Sequence, residues 1–281
     1  MEKNGTMISK MLIAAFGALA SACLAYGYTE TAAACRSNEG DANSVEAVLR
    51  QLKQTTEKLQ SYQGQVEYLF SQPLLESKTL QKGVLYYAKY GNKSKLRINL
   101  ETLKQDDEKE QKYAEHFIFD GVWLTRLDYQ IKSVERHQLA EPNEPVDAFE
   151  LASRNLPIIG FTKVEELQNH FEITLVEAKD EKREAVPSAE KDTAEFVHLH
   201  FRTRPDSTYK DDYTSIDLWI DRNLGLPAKV VAVSTEDDVY EIKLLKPAVN
   251  KEIDRKTFEF EIPKGFGEPR VVPLPKESKE R

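Results

Sequence analysis

Two histidines placed two residues apart, His198 and His200, are the first positions where this chain could do chemistry. An H-x-H in a strand puts both imidazoles on one side, where they could share a metal ion. No third ligand is evident, and polar residues at alternate positions are also what a solvated strand face requires. The reading is therefore no metal site. Asp217 and Asp221 stand on either side of Trp219 and could form a carboxylate pair for acid–base work. They alternate with Ile216, Leu218 and Ile220, which points them away from the apolar face and makes them surface groups. The chain carries no His-Glu-x-x-His helix, no Gly-x-Ser-x-Gly elbow, no P-loop and no dinucleotide fingerprint. The sequence predicts no enzyme and no cofactor.

The aromatic residues are more informative. Tyr68, Phe70, Tyr86, Tyr87, Phe117, Phe119, Trp123, Trp219, Phe258 and Phe260 all fall in segments with strand character. They can fill a core, or they can line an apolar concavity, the usual place for a small ligand.

The elements that position them follow from periodicity. Residues 215–266 read as a meander. Ile216, Leu218 and Ile220 alternate with polar neighbours, and Asn223 to Pro227 supplies a turn around Gly225. Val230 to Val233 makes a second strand, Glu236 to Asp238 a second turn, and Val239 to Leu245 a third strand. Phe258, Phe260 and Ile262 are expected in a fourth. Upstream, Val45, Val48, Leu49, Leu52 and Leu59 have helical spacing, with Asn43 and Glu46 placed for a capping box. The period then changes to two, with Val66, Tyr68 and Phe70, then Val84, Tyr86 and Ala88, then Leu96, Ile98 and Leu100. Residues 104–112 read as a charged loop, 116–119 as a strand, and 123–134 as another after a turn at Asp120-Gly121. A helix is expected from Pro145 to about Leu156 and a second from the capping box Thr162–Glu165. Strands follow at 171–176 and 195–202, with a charged excursion over 177–194 between them. Ten or eleven strands and three helices in one domain predict an α+β fold. An antiparallel sheet of that size coils towards a barrel or half-barrel.

The totals fit one large exported domain. The chain has 281 residues and a net charge of −8, which argues against a nucleic-acid partner. Lys3 and Lys10 precede an apolar stretch from Met11 to Leu24, the pattern of a signal peptide over residues 1–34 with cleavage between 22 and 34. That segment holds two Lys and two Glu, so the charge of the remainder is still −8. Both cysteines, Cys23 and Cys35, lie at its two small-residue sites. Each is a candidate for lipidation, and neither can serve a disulfide in the folded domain. Residues 35–43 form a polar linker, 44–267 the domain, and 268–281 a tail rich in Pro and charge.

The order of these parts resembles the LolA/LolB-like lipoprotein-carrier family. The resemblance rests on the opening helix running into SYQGQVEYLF, on GVLYYAKYGNKSKLRINL, on FIFDGVWLTRLDYQ, on FELASRN, and on the closing stretch that ends in FEFEIPKGF. Together they span about Val45 to Gly267. The family implies a single large antiparallel sheet curled into an unclosed half-barrel, with a lid of short helices over an apolar cavity that receives acyl chains. The strand phase read from the alternation then picks Val66, Tyr68, Phe70, Val84, Tyr86, Leu96, Ile98, Leu218 and Phe260 as the residues that would line such a cavity. Tyr90-Gly91 stands where the family has an Arg-Pro doublet, and Arg97 matches its later Arg, a lid contact. The implied partners are acyl chains or lipid and the envelope components that sort lipoproteins, in the periplasm, with membrane contact peripheral at most. An envelope sensor or regulatory module, or a structural lipoprotein, is the alternative on the same fold.

Overall fold

A computed structural model describes residues 44–91, 93–148, 164–176 and 196–274. The signal peptide, both cysteines, most of the helix expected from Pro145 and the 177–194 excursion lie outside them.

Twelve strands make one sheet, in the order β12-β6-β5-β4-β3-β2-β1-β11-β10-β9-β8-β7. The first meander comprises β1 (Ser61–Gln72), β2 (Ser77–Tyr90), β3 (Lys93–Gln105), β4 (Gln111–Phe119), β5 (Trp123–Asp128) and β6 (Ser133–Gln138). The second comprises β7 (Phe171–Val176), β8 (Phe196–Thr203), β9 (Tyr213–Asp221), β10 (Leu226–Ser234) and β11 (Val239–Val249). Pairing of β1 with β11 joins the two halves. Every pairing is antiparallel except that of β12 (Arg270–Val272), which adds to β6 in parallel. The ends, β12 and β7, are not joined. The sheet is an unclosed half-barrel in an α+β fold.

Helix α1 (Val45–Lys58) begins at Ser44, whose Oγ accepts from the Ala47 amide at 3.2 Å. Val48, Leu49 and Leu52 form its buried stripe and pack on β10 and β7. Helix α2 (Val164–His170) lies against α1 and leads straight into β7. The face they cover is the inner one, and its core joins Leu49 to Leu199, Phe201, Ile216, Leu218 and Val230. Packing of this kind, with the apolar stripe of a helix on one face of a sheet, is what stabilises a helix of this length.

Turn chemistry explains where strands begin and end. The Asp221 carboxylate accepts from the amides of Asn223 and Leu224, and Gly225 takes a φ of +64° that a side chain would strain. Asp128 does the same for Gln130 and Ile131. This divides the strand expected over 123–134 into β5 and β6. Residues 106–110 of the charged segment 104–112 form the loop of a hairpin, with β3 running to Gln105, β4 starting at Gln111 and Asp106 at φ +49°.

The strand expected at Phe258–Ile262 does not form. Arg255–Phe258 is a 3-10 turn capped by Asp254, whose carboxylate accepts from the Lys256 amide at 2.9 Å. The carbonyls of Thr257 and Glu259 accept instead from the Arg97 guanidinium, which removes them from any ladder. The chain crosses the outer face as a strap and returns to the sheet only as β12, inside the segment expected to be a tail. The second expected helix is present as α2. Of the one expected from Pro145, residues Pro145–Asp147 are irregular and Ala148 is helical.

Candidate functional site

Residues paired directly across neighbouring strands point to the same face, so the register sorts the expected cavity residues. Val66, Tyr68 and Phe70 of β1 share the inner face with Leu244, Ile242 and Tyr240 of β11. On β2 they face Gly83, Gln81 and Thr79. Leu96 and Ile98 lie opposite Tyr87 and Leu85 on that same face, and Leu218 is on it further along, opposite Leu199. These six residues are thus brought to one surface. Val84 and Tyr86 are not. They lie opposite Gln65 and Gln63 on β1, which puts them on the outer face. The reason is phase: β2 turns its odd positions inward, and its run of Val84-Leu-Tyr-Tyr87 is apolar on both faces. Phe260 also belongs outside, in the strap, packed on Ile118, Leu127 and Val134.

Among the described residues Arg97 contacts no helix that could serve as a lid. It lies opposite Tyr86 and Ile118, on the outer face. Its Nη1 donates to the carbonyls of Thr257 at 2.9 Å and Glu259 at 3.0 Å, and its Nε to Asn99 Oδ1 at 2.8 Å. It holds the strap. Burial, with Arg97 nearby, pushes His116 down to about 4, so that imidazole is neutral at pH 7.

The inner face carries two kinds of surface. Around Tyr62, Val66, Tyr87, Leu100, Phe117 and Phe119 it is apolar, and Leu85, Leu96, Ile98, Ile242 and Leu244 extend this region while staying only half-buried. Towards the β5–β6 turn it becomes ionic. Glu115 and Asp128 pair across β4 and β5, and Arg126 pairs with Glu135 across β5 and β6. The Arg126 Nε hydrogen-bonds Glu115, its Nη2 lies 3.4 Å from Asp128 and its Nη1 3.7 Å from Glu135. Burial raises the Glu115 carboxyl above its ordinary value, and Arg126 opposes this. The same burial lifts Tyr113 beside it up to about 12. Sequence reasoning missed this cluster. Its signal was polar residues in the apolar phase: Glu115 alternates with Phe117 and Phe119, and Arg126 with Leu124.

On the outer face of the second meander, His198 Nε2 and His200 Nδ1 lie 2.8 and 2.9 Å from the same oxygen of Asp217. His198 stacks on Trp219 with centroids 4.1 Å apart, and the Lys229 ammonium lies 4.6 Å from that ring's centre. Asp217 therefore has a structural partner set, whereas Asp221 makes the following turn. The two carboxylates serve different elements rather than one reaction. Among the described residues no group of three or more His, Cys, Asp or Glu is arranged to hold a metal ion.

No protein-family model and no curated protein matches the chain. Solved structures resemble it at low identity. An uncharacterized conserved protein from Thermus thermophilus is 10% identical with a TM-score of 0.43, over 82% of this chain and 98% of that one. MucB of Pseudomonas aeruginosa, solved in complex with MucA, is 14% identical with a TM-score of 0.41, over 76% of this chain. The match spans 60% of that matched chain's own length. A LolA superfamily protein from Nitrosomonas europaea is 11% identical with a TM-score of 0.32, over 76% of this chain and 97% of that one.

Proposed function

We propose that this chain is an exported, non-enzymatic LolA-like binding protein that shelters acyl chains of a lipoprotein or another lipid on its inner face. One observation carries the reading. The helices α1 and α2 pack on the second meander, while Leu85, Leu96, Ile98, Ile242 and Leu244 on the other half stay half-buried on an apolar surface. Each methylene withdrawn from water contributes about 0.8 kcal/mol, so a chain of moderate length laid there gains enough to be carried. Val66, Tyr68, Phe70, Leu96 and Ile98 are the lining residues of this proposal, and Leu218 supports it from beneath α1. Export rests on the basic and apolar N-terminal pattern, with Cys23 or Cys35 as the lipidation candidates. Mass spectrometry of the mature N-terminus tests it, and an intact Met1 peptide from periplasmic protein rules it out.

The binding test compares thermal unfolding with titration of a fluorescent fatty-acid probe, on wild type, Ile98→Glu and Val84→Glu. Ile98→Glu is expected to fold with a loss of about 1–3 kcal/mol and to lose most probe binding. Val84→Glu, on the outer face, is expected to bind as wild type does. Wild-type protein that takes up no probe, with an Ile98→Glu variant that unfolds outright, leaves only a structural role.

A regulatory module that contacts a protein partner is the second reading, and one observation favours it. Leu74 and Leu75, at the tip of the β1–β2 turn, are 81% and 69% exposed. Large apolar side chains at a turn tip suit insertion into a partner's pocket. Loss of partner capture on Leu74→Ser/Leu75→Ser, with probe binding intact, separates this reading from the first.

A further inference from the structure

The two ends of the sheet are finished differently. At one end β12 is three residues long, lies between Pro269 and Pro273, and carries Arg270. Short strands, prolines and charge keep such an edge from accepting another strand. At the other end β7 has none of these devices. It runs through Phe171–Val176 without Lys, Pro or Gly, and it pairs with β8 in an unbroken register. Its one charge, Glu172, is balanced by Arg202 at 3.1 Å. Among the described residues no strand lies on its far side.

The ladder fixes which groups that far side presents. The Arg204 amide donates to the His170 carbonyl at 2.9 Å. Bonded pairs alternate along an antiparallel ladder. Glu172, Thr174 and Val176 therefore turn their backbone groups to β8, while Phe171, Ile173 and Leu175 turn theirs away. The Phe171 carbonyl accepts from the Arg204 Nε at 3.3 Å. What remains along the edge are the amides and carbonyls of Ile173 and Leu175, residues whose side chains are half-buried against the inner core. Another extended chain satisfies such a row, and its spacing selects a copy of the same strand. Around a twofold axis through Thr174, Ile173 lies opposite the second copy's Leu175, and Leu175 opposite its Ile173. Every one of those edge groups is then bonded. The faces agree as well. Ile173 and Leu175 meet on the inner side, exposed Thr174 meets its counterpart on the outer side, and Glu172 falls beside Val176 rather than another carboxylate. Helix α2 ends at His170, before the overlapping residues begin.

We propose that β7 is a dimerisation edge, which takes β7 of a second copy of this chain in antiparallel register about Thr174. The two sheets become one continuous sheet with both inner faces on the same side. The contact is small, so the dimer is a weak one that forms and parts with concentration. The inference is independent of the acyl-binding reading, because it uses only the backbone of the edge and the side chains beside it.

Thiol cross-linking reads the register, in a chain whose own cysteines are removed by Cys23→Ser and Cys35→Ser. Thr174→Cys sets two thiols opposite each other at a non-hydrogen-bonded position, where α-carbons stand about 4.5 Å apart, within disulfide reach. Glu172→Cys sets them roughly 13 Å apart along the strands, beyond it. Mild oxidation is expected to give a disulfide dimer from Thr174→Cys and at least about tenfold less from Glu172→Cys. Sedimentation velocity from about 10 to 500 µM protein is expected to show wild type in a monomer–dimer equilibrium of the weak class. Thr174→Lys should shift it at least about tenfold towards monomer, because like charges then face each other across the axis. Thr174 is exposed, so this variant keeps the wild-type melting temperature. Wild type that stays monomeric throughout, equal cross-linking of the two cysteine variants, or a dimer that Thr174→Lys does not weaken overturns the proposal. In a monomeric wild type, slow hydrogen exchange at the Ile173 and Leu175 amides would show that the chain's own residues cover the edge.

Discussion

The Arg97 Nη1 lies 2.9 Å from the carbonyl oxygen of Thr257, two residues 160 apart in sequence. This bond and its companion to Glu259 fasten the strap to the middle of β3, with Phe258 edge-on to Tyr90 beside it. Replacing Arg97 by Met is therefore expected to cost about 2 kcal/mol, as loss of bonds from a charged donor does. It should loosen residues 251–267 before anything else. Hydrogen exchange resolved by segment checks this. Faster exchange in the strap with unchanged probe binding is the expected pattern. The reverse pattern would return Arg97 to a lid role.

Asp217 supplies a pH dependence with a definite sign. Burial pushes its carboxyl up, but hydrogen bonds from His198 and His200 outweigh this and hold it below the ordinary 3.8. A depressed carboxylate stabilises fully above its unfolded pKa and loses that contribution as pH falls through the folded value. Asp217→Asn is expected to lower stability by about 1 kcal/mol at pH 7. Its melting temperature should converge with that of wild type as pH falls below the ordinary 3.8. A difference that persists unchanged into acid would show that the pair contributes nothing through charge.

The two histidines form one unit with that aspartate, so His198→Ala/His200→Ala should cost more than an ordinary surface change. About 1–2 kcal/mol is expected, since Asp217 loses both donors and Trp219 its stacked ring. The loss should be the same with and without a chelator. Stoichiometric zinc in wild type, absent from the double variant, would contradict it.

Arg126 is the centre of the inner ionic group, and Arg126→Met should be among the most damaging single changes. Removing the cation strands Glu115 and Asp128 as buried charges, a loss of about 3–5 kcal/mol. Glu115, whose pKa burial already raises, destabilises as pH climbs from its ordinary 4.5 through that raised value. Lowering the pH should thus recover part of the loss in Arg126→Met, and Glu115→Gln added to it should recover part at pH 7. Stability curves for the single and double variants measure both effects.

Gly83 sits where β2 and β3 slip register, opposite Val66 on the inner face. A Cβ there would collide with the Asn99 carbonyl of β3. Gly83→Ala is expected to cost about 3 kcal/mol through backbone displacement, measurable by chemical denaturation. An unchanged midpoint would mean that the two strands separate easily at that point.

Much of the architecture is written locally in the sequence. Alternation in Ile216-Asp-Leu-Trp-Ile220 sets both the strand and its buried face, because every second residue of a pleated strand points the same way. The stripe Val48, Leu49, Leu52 sets α1, and Asp221 with Gly225 sets a turn. The H-x-H pair was legible as an outer-face feature for the same reason. Tertiary structure decided the rest. Val84 to Ala88 is apolar on both faces, so only pairing with Gln63 and Gln65 tells that Val84 and Tyr86 point out. Phe258 to Ile262 alternates like a strand, yet its carbonyls at Thr257 and Glu259 are taken by Arg97 from far along the chain. Glu115, Arg126 and Gln81 look like single polar residues in three separate strands. They become one buried cluster only because the meander lays β2, β3, β4 and β5 side by side, and that adjacency depends on long-range pairing that no local pattern records.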